Sequence, residues 1–109
     1  MKSVLKEKYR YIAFRIISDR KYDMKELETS LRKELIRLVG EMDYSIVLPK
    51  LIFYDADGRE GIIKVLRLGL EKTKAALSLI NSFDGNKTHV MPVFVSGTIK
   101  GAKSGMSKR

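Results

Sequence analysis

At 109 residues with 44% apolar side chains, the chain has the size of one domain and the means for a modest core. It has no cysteine, which excludes a disulfide framework, a thiolate nucleophile and a cysteine-type zinc site. It also has no apolar run long enough to span a bilayer, and MKSVLKEKYR lacks the apolar segment of a signal peptide, so the expectation is a cytoplasmic protein with no membrane partner.

The net charge of +9 is confined to the two ends. Residues 17–84 hold 12 basic and 12 acidic side chains; residues 1–16 carry +4, and residues 85–109, with no acid, carry +5. Charge so placed points to a polyanionic partner, usually nucleic acid, more than to solubility.

In chain order, YRYIAFRII (residues 9–17) predicts a strand with Ile12, Phe14 and Ile16 on a core face. Its other face carries Tyr9, Tyr11, Ala13, Arg15 and Ile17, neither ordinary core nor ordinary surface. A helix follows, with Leu27, Leu31, Leu35, Leu38 and Val39 on one side, Asp23 and Glu26 as a capping box, and Gly40 as the stop. YSIVLPKLIFYDADGREGIIKVLR reads as two strands joined by a turn with Asp57 and Gly58 at its tip. LGLEKTKAALSLINSF predicts a second helix burying Leu70, Thr73, Ala76, Leu77 and Ile80. After a turn at Asp84, Gly85 and Asn86, KTHVMPVFVSGTI predicts a fourth strand. The closing GAKSGMSKR, rich in glycine, serine and lysine, predicts a mobile tail.

The order β-α-β-β-α-β is the ferredoxin-like arrangement, an α+β sandwich with antiparallel sheet order 4-1-3-2. Residues 1–100 then form one domain and residues 101–109 a flexible basic tail. The only prolines, Pro49 and Pro92, fall in predicted strands two and four, the edges, where proline is tolerated. The topology also sets the end of strand four beside the start of strand one. Both charged ends and Arg67 therefore emerge together.

Catalytic constellations are scarce. His89 has no carboxylate near it in the chain, Asp55 and Asp57 on a turn are a weak metal signal, and no glycine-rich phosphate loop is present. An RNA-recognition motif shares the topology, but strand three, REGIIKVLR, lacks the aromatics on which that module stacks bases. The expectation is a chain that is not catalytic alone and binds no metal or cofactor.

Three segments in order, RYIAF (residues 10–14), EGIIKV (60–65) and VSGTIK (95–100) followed by a basic tail, resemble the archaeal ribonuclease P protein component 2 family over nearly the whole chain. The resemblance implies an RNA-recognition-motif-like sandwich and a non-catalytic subunit of the ribonucleoprotein that removes the 5′ leader from precursor tRNA. It further implies that the RNA subunit is the catalyst, using Mg2+, so that this subunit of an endoribonuclease binds and stabilises the ribonuclease P RNA. Precursor tRNA is then met only through the complex. The implied protein partners are component 3, other subunits, and a second copy within a four-chain assembly. Relatives continue with a denser Arg/Lys run able to form a helix, whereas GAKSGMSKR has two glycines and two serines.

The candidate RNA contacts are Lys2, Lys6, Lys8, Arg10, Arg67, Lys100, Lys103, Lys108 and Arg109. The predicted strands are apolar on both faces, and two helices cover one. The outer face, with Tyr11, Arg15, Ile17 and Lys64, is therefore expected to be an exposed protein interface. The competing reading is a ferredoxin-like ligand-sensing or regulatory dimerisation domain, which would use the apolar sheet but leave the charged ends unexplained.

Overall fold

A computed structural model of the chain describes residues 8–106. Strand β1 (Tyr9–Ser18) is central, antiparallel to β3 (Glu60–Leu66) on one side and to β5 (Asn86–Ser96) on the other. Strand β2 (Lys50–Asp55) lies beyond β3, and the two-residue β4 (Ser82–Phe83) pairs with the start of β5. The sheet order β2-β3-β1-β5-β4 is the expected ferredoxin-like order with one short strand added. Strand four of the prediction is thus an open edge only beyond Thr88, whose amide still donates to the Asn81 carbonyl. Pro92 lies on that open stretch, beside a bulge where Ala13 faces Phe94 and Phe14 faces Pro92, leaving Val93 unopposed.

Helices α1 (Met24–Val39) and α3 (Leu70–Leu79) cover one face of the sheet. The α1 start is the expected capping box: Asp23 accepts from the Glu26 amide at 2.8 Å, and Glu26 accepts from the Asp23 amide at 3.1 Å. Gly40, at φ 88°, ends the helix with its amide on the Ile36 carbonyl. The core face of β1 is as read, with Ile12, Phe14 and Ile16 packed among Leu27, Leu31, Leu35, Leu77 and Val90. Gly61 explains part of the EGIIKV motif. It stands opposite Phe14, and a Cβ there would lie 2.6 Å from the Phe14 ring.

Three readings are corrected. Residues 44–47 are not strand: they belong to helix α2 (Glu41–Val47), and Pro49 precedes β2. The apolar run was ambiguous in period. Val47 goes inward against Gly69 and Tyr44 packs on the core, while Ile46 and Leu48 are about half exposed (50% and 54%). Leu48 takes the left-handed conformation, φ 53°, that turns the chain into β2. Next, the second predicted helix stops at Leu79, and its last residues form β4, turned into β5 by Asp84 and Gly85, both at positive φ, as a two-residue hairpin requires.

The third correction is the largest. Strand β5 ends at Ser96, and Ile99–Met106 form a helix, α4, so the expected boundary between residues 100 and 101 falls inside it. Thr98 caps it: its hydroxyl accepts from the Gly101 amide at 3.0 Å and its carbonyl from the Ala102 amide at 3.1 Å. Gly101 and Gly105 had suggested a mobile tail, but here they permit close approach. A Cβ on Gly105 would lie 2.6 Å from the Phe94 ring, and one on Gly101 would run into the Ser96 hydroxyl. The helix lies on the outer face of the sheet, burying Ala102 and Met106 against Ala13 and Ile62, with Tyr11, Ile52 and Phe53 around them.

Candidate nucleic-acid interface

Residues 1–7 and 107–109 are outside the described residues, so Lys2, Lys6, Lys108 and Arg109 receive no placement. Of the remaining candidates, Lys8, Arg10, Arg67 and Lys100 gather where β1 begins, and Lys103 stands apart, level with the middle of the strand. The Arg67 amide donates to the Lys8 carbonyl at 2.8 Å, joining the exit of β3 to the entry of β1. Arg10, level with Val65 in the pairing, turns its guanidinium onto the Tyr9 carbonyl at 2.8 Å. Lys100 lies in the first turn of α4, just past Ser96, which pairs with Tyr11. Lys103 sits over the Phe53 ring, 4.6 Å from its centroid.

Folding adds cations that the running charge along the chain does not reveal. Lys64 lies beside Tyr11 and opposite Lys50, and its ammonium stands 4.4 Å over the Tyr9 ring, with Lys8 at 5.8 Å from the same ring. Arg32 from α1 joins Lys50 and Lys64 around a cleft of about 380 Å³. Tyr44, Leu48, Pro49 and Leu51 also line it, and Glu28 is the acid there. Among the described residues, Lys8, Arg32, Lys50, Lys64, Arg67 and Lys100 have no carboxylate within 4 Å. Cations left unmatched on one end of a small domain leave a positive field outside the surface, which is what a phosphate backbone requires.

The four residues expected to mark one exposed protein face are divided by α4. Tyr11 packs beside Ala102 and Met106, and Arg15 bonds the nearly buried Glu60 at 3.0 Å. Lys64 belongs spatially with the cationic end. Ile17 remains exposed, next to a partly exposed apolar strip along β5 formed by Met91, Val93 and Phe94, whose ring lies against Gly105 of α4. The hairpin carboxylates do not converge: Asp57 pairs with Lys21 at 3.3 Å. Among the described residues, no helix is long and apolar enough to cross a membrane.

Residues 10–106 match the model of the Rpp14/Pop5 family. The chain is 37% identical over 99 residues to ribonuclease P protein component 2 of Pyrococcus horikoshii, covering 91% of this chain and 82% of that one. It is 35% identical to the protein of the same name from Pyrococcus abyssi, covering 91% and 84%. The counterpart from Saccharolobus islandicus is 35% identical over 94 residues, covering 86% of this chain and 66% of that one. Among solved structures, a chain in the cryo-EM structure of yeast ribonuclease MRP superposes with a TM-score of 0.68 at 18% identity, over 84% of this chain and 76% of that one. At that identity the likeness speaks to the fold.

Proposed function

The chain belongs to the Rpp14/Pop5 family, whose members include the ribonuclease P protein component 2 chains, and on that premise we propose that it is a non-catalytic protein subunit of ribonuclease P. In this reading the ribonuclease P RNA carries the active site and its Mg2+, and the protein binds and braces that RNA while the complex removes the 5′ leader of precursor tRNA. The observation that carries the reading is the group of cations where β1 begins that have no acidic partner among the described residues: Lys8, Lys64, Arg67 and Lys100, with Lys50 and Arg32 beside them. Arg10 borders the same surface. Component 3 of the same enzyme is the proposed protein partner. The apolar strip of Ile17, Met91, Val93 and Phe94 offers it a contact surface, as it would a second copy in a four-chain assembly.

The alternative of a ligand-sensing dimerisation domain is disfavoured because α4 fills the centre of the sheet face that such dimers use. The test is reconstitution of precursor tRNA cleavage with the RNA and partner subunits across a magnesium series. Side chains that neutralise phosphates should lower the magnesium needed for activity. Identical magnesium curves with and without this chain would sink the proposal.

A further inference from the structure

We propose that the cleft formed by α1, α2 and the start of β2 takes a single unpaired nucleotide of the bound RNA, its base against Tyr44, Leu48 and Pro49 and its phosphate on Lys50 and Lys64. The proposal rests on the reading that the chain binds RNA, and it names the part of the RNA that this site recognises.

Size, lining and charge agree on that occupant. About 380 Å³ is near the lower end of the roughly 300–1,000 Å³ typical of small-molecule sites, room for one nucleotide and not for a paired helix. Apolar walls with an aromatic ring suit the face of a base, and every base has such a face. Three cations, Arg32, Lys50 and Lys64, against one acid, Glu28, suit the phosphate that accompanies the base. Contact with duplex phosphates alone would need the cations but no apolar wall, and an apolar protein side chain would need the wall but no cations. The Tyr9 ring holds Lys64 at the cleft, so that cation is placed before RNA arrives. Burial pushes the Tyr44 phenol up, so it keeps its proton and can both donate to and accept from a base edge.

The experiment compares two RNA hairpins of equal length, one fully paired and one with a single bulged 2-aminopurine nucleotide, each titrated with the full chain. Loss of one base stack corresponds to roughly a 5- to 150-fold change in affinity, so the bulged hairpin should bind tighter by a factor in that range. The 2-aminopurine fluorescence should also change on binding. Tyr44→Leu, which keeps apolar bulk at a partly buried position, and Lys50→Gln at an exposed one should each bring the bulged-to-paired ratio toward one. Arg67→Gln, outside the cleft, should weaken both hairpins in proportion and keep the ratio. If neither hairpin binds, the RNA-binding reading itself fails. If both bind equally, or if both cleft variants keep the preference, RNA binding stands and the cleft proposal is overturned.

Discussion

The two ends of the sheet differ in how the cations on their strands and turns are matched, although the helices at the end where β1 begins also hold ion pairs, Arg37 with Glu34, Lys72 with Asp43 and Lys74 with Glu71. At the end bounded by the β2–β3 and β4–β5 turns, Arg15 meets Glu60, Arg20 meets Glu26, Lys21 meets Asp57 and Lys33 meets Asp84, at 2.7–3.3 Å. Lys25, Arg59 and Lys87 have no such partner among the described residues, Arg59 donating instead to the Ser18 carbonyl. At the end where β1 begins, Lys8, Lys64, Arg67 and Lys100 have no carboxylate within 4 Å among the described residues, and two of them stand over a tyrosine ring instead. A matched pair presents almost no field at a distance, and exposed pairs add little stability. Unmatched cations repel one another until a polyanion arrives. Net charge therefore says less about this protein than the pairing of its charges.

The sharpest way to break that contrast is to remove four charges from either end. Replacing Lys8, Lys64, Arg67 and Lys100 by Gln should make the log–log dependence of RNA affinity on salt shallower by roughly three, at about 0.7–0.9 per lost phosphate contact. Replacing Arg20, Lys21, Lys33 and Lys87 makes the same change in net charge and should leave the slope nearly as it was. Equal losses from both sets would mean that net charge alone attracts the RNA and that the pairing is irrelevant.

A smaller effect separates the cationic end from the helix that serves it. Gly105→Leu places side-chain atoms where the Phe94 ring lies and should lift α4 from the sheet. Overpacking of this kind costs about 1–3 kcal/mol, and uncovering Met106 adds to it. For a domain of this size each kcal/mol lowers Tm by roughly 4–8 °C. The salt slope should change by no more than about two, the share of Lys100 and Lys103. An unaltered Tm would mean that α4 is not held as described. Deleting residues 101–109 is a poorer test of charge, because it also strips Ala102 and Met106 from the outer core.

The same contrast shows what could be read from the sequence. The capping box, the inward face of α1, the alternation of β1 and the β2–β3 turn are local signals, and each appears where its residues predict it. Residues 44–48 were misread because five apolar-rich residues fit either period. The choice of helix is made by Gly40 before them and by the contact of Val47 with Gly69, more than twenty residues away. Helix α4 was hidden for a related reason. Gly101 and Gly105 each weaken an isolated helix, by about 1 kcal/mol relative to alanine. Their use is a close approach to Phe94 and Ser96 that exists only once the sheet has formed. The cationic end was half legible. Charge counted along the chain finds Lys8, Arg10 and Lys100, but counts the middle segment as neutral and so passes over Arg32 and Lys50, which only the fold brings beside Lys64.

The smallest expected effect is also the one that isolates the matched end. The Asp84 carboxyl is held below its usual range by the hydrogen bond and charge of Lys33. Glu26 is held down first by the Asp23 amide and then by Arg20. A folded-state pKa below the unfolded one means that the unfolded chain binds more protons in acid, so stability rises with pH there. The contribution is complete above the ordinary carboxylate range, about 4, and is lost as pH falls through the lower folded values. Lys33 is shifted the other way by Asp84, so its share is present below its ordinary value, about 10.4, and is lost as pH rises through the folded one. The pair should therefore leave stability flat between about pH 5 and 10 and lower it on either side. Asp84→Asn removes the acid limb of that pair and should flatten the stability profile between about pH 5 and 3, as read by urea midpoints. At neutral pH its RNA salt slope should equal that of the unmodified chain, because neither Asp84 nor Lys33 belongs to the surface proposed to meet phosphate. A steeper slope in Asp84→Asn would show that freeing Lys33 recruits it to the RNA, and that the matched end is held out of contact only by its own acids.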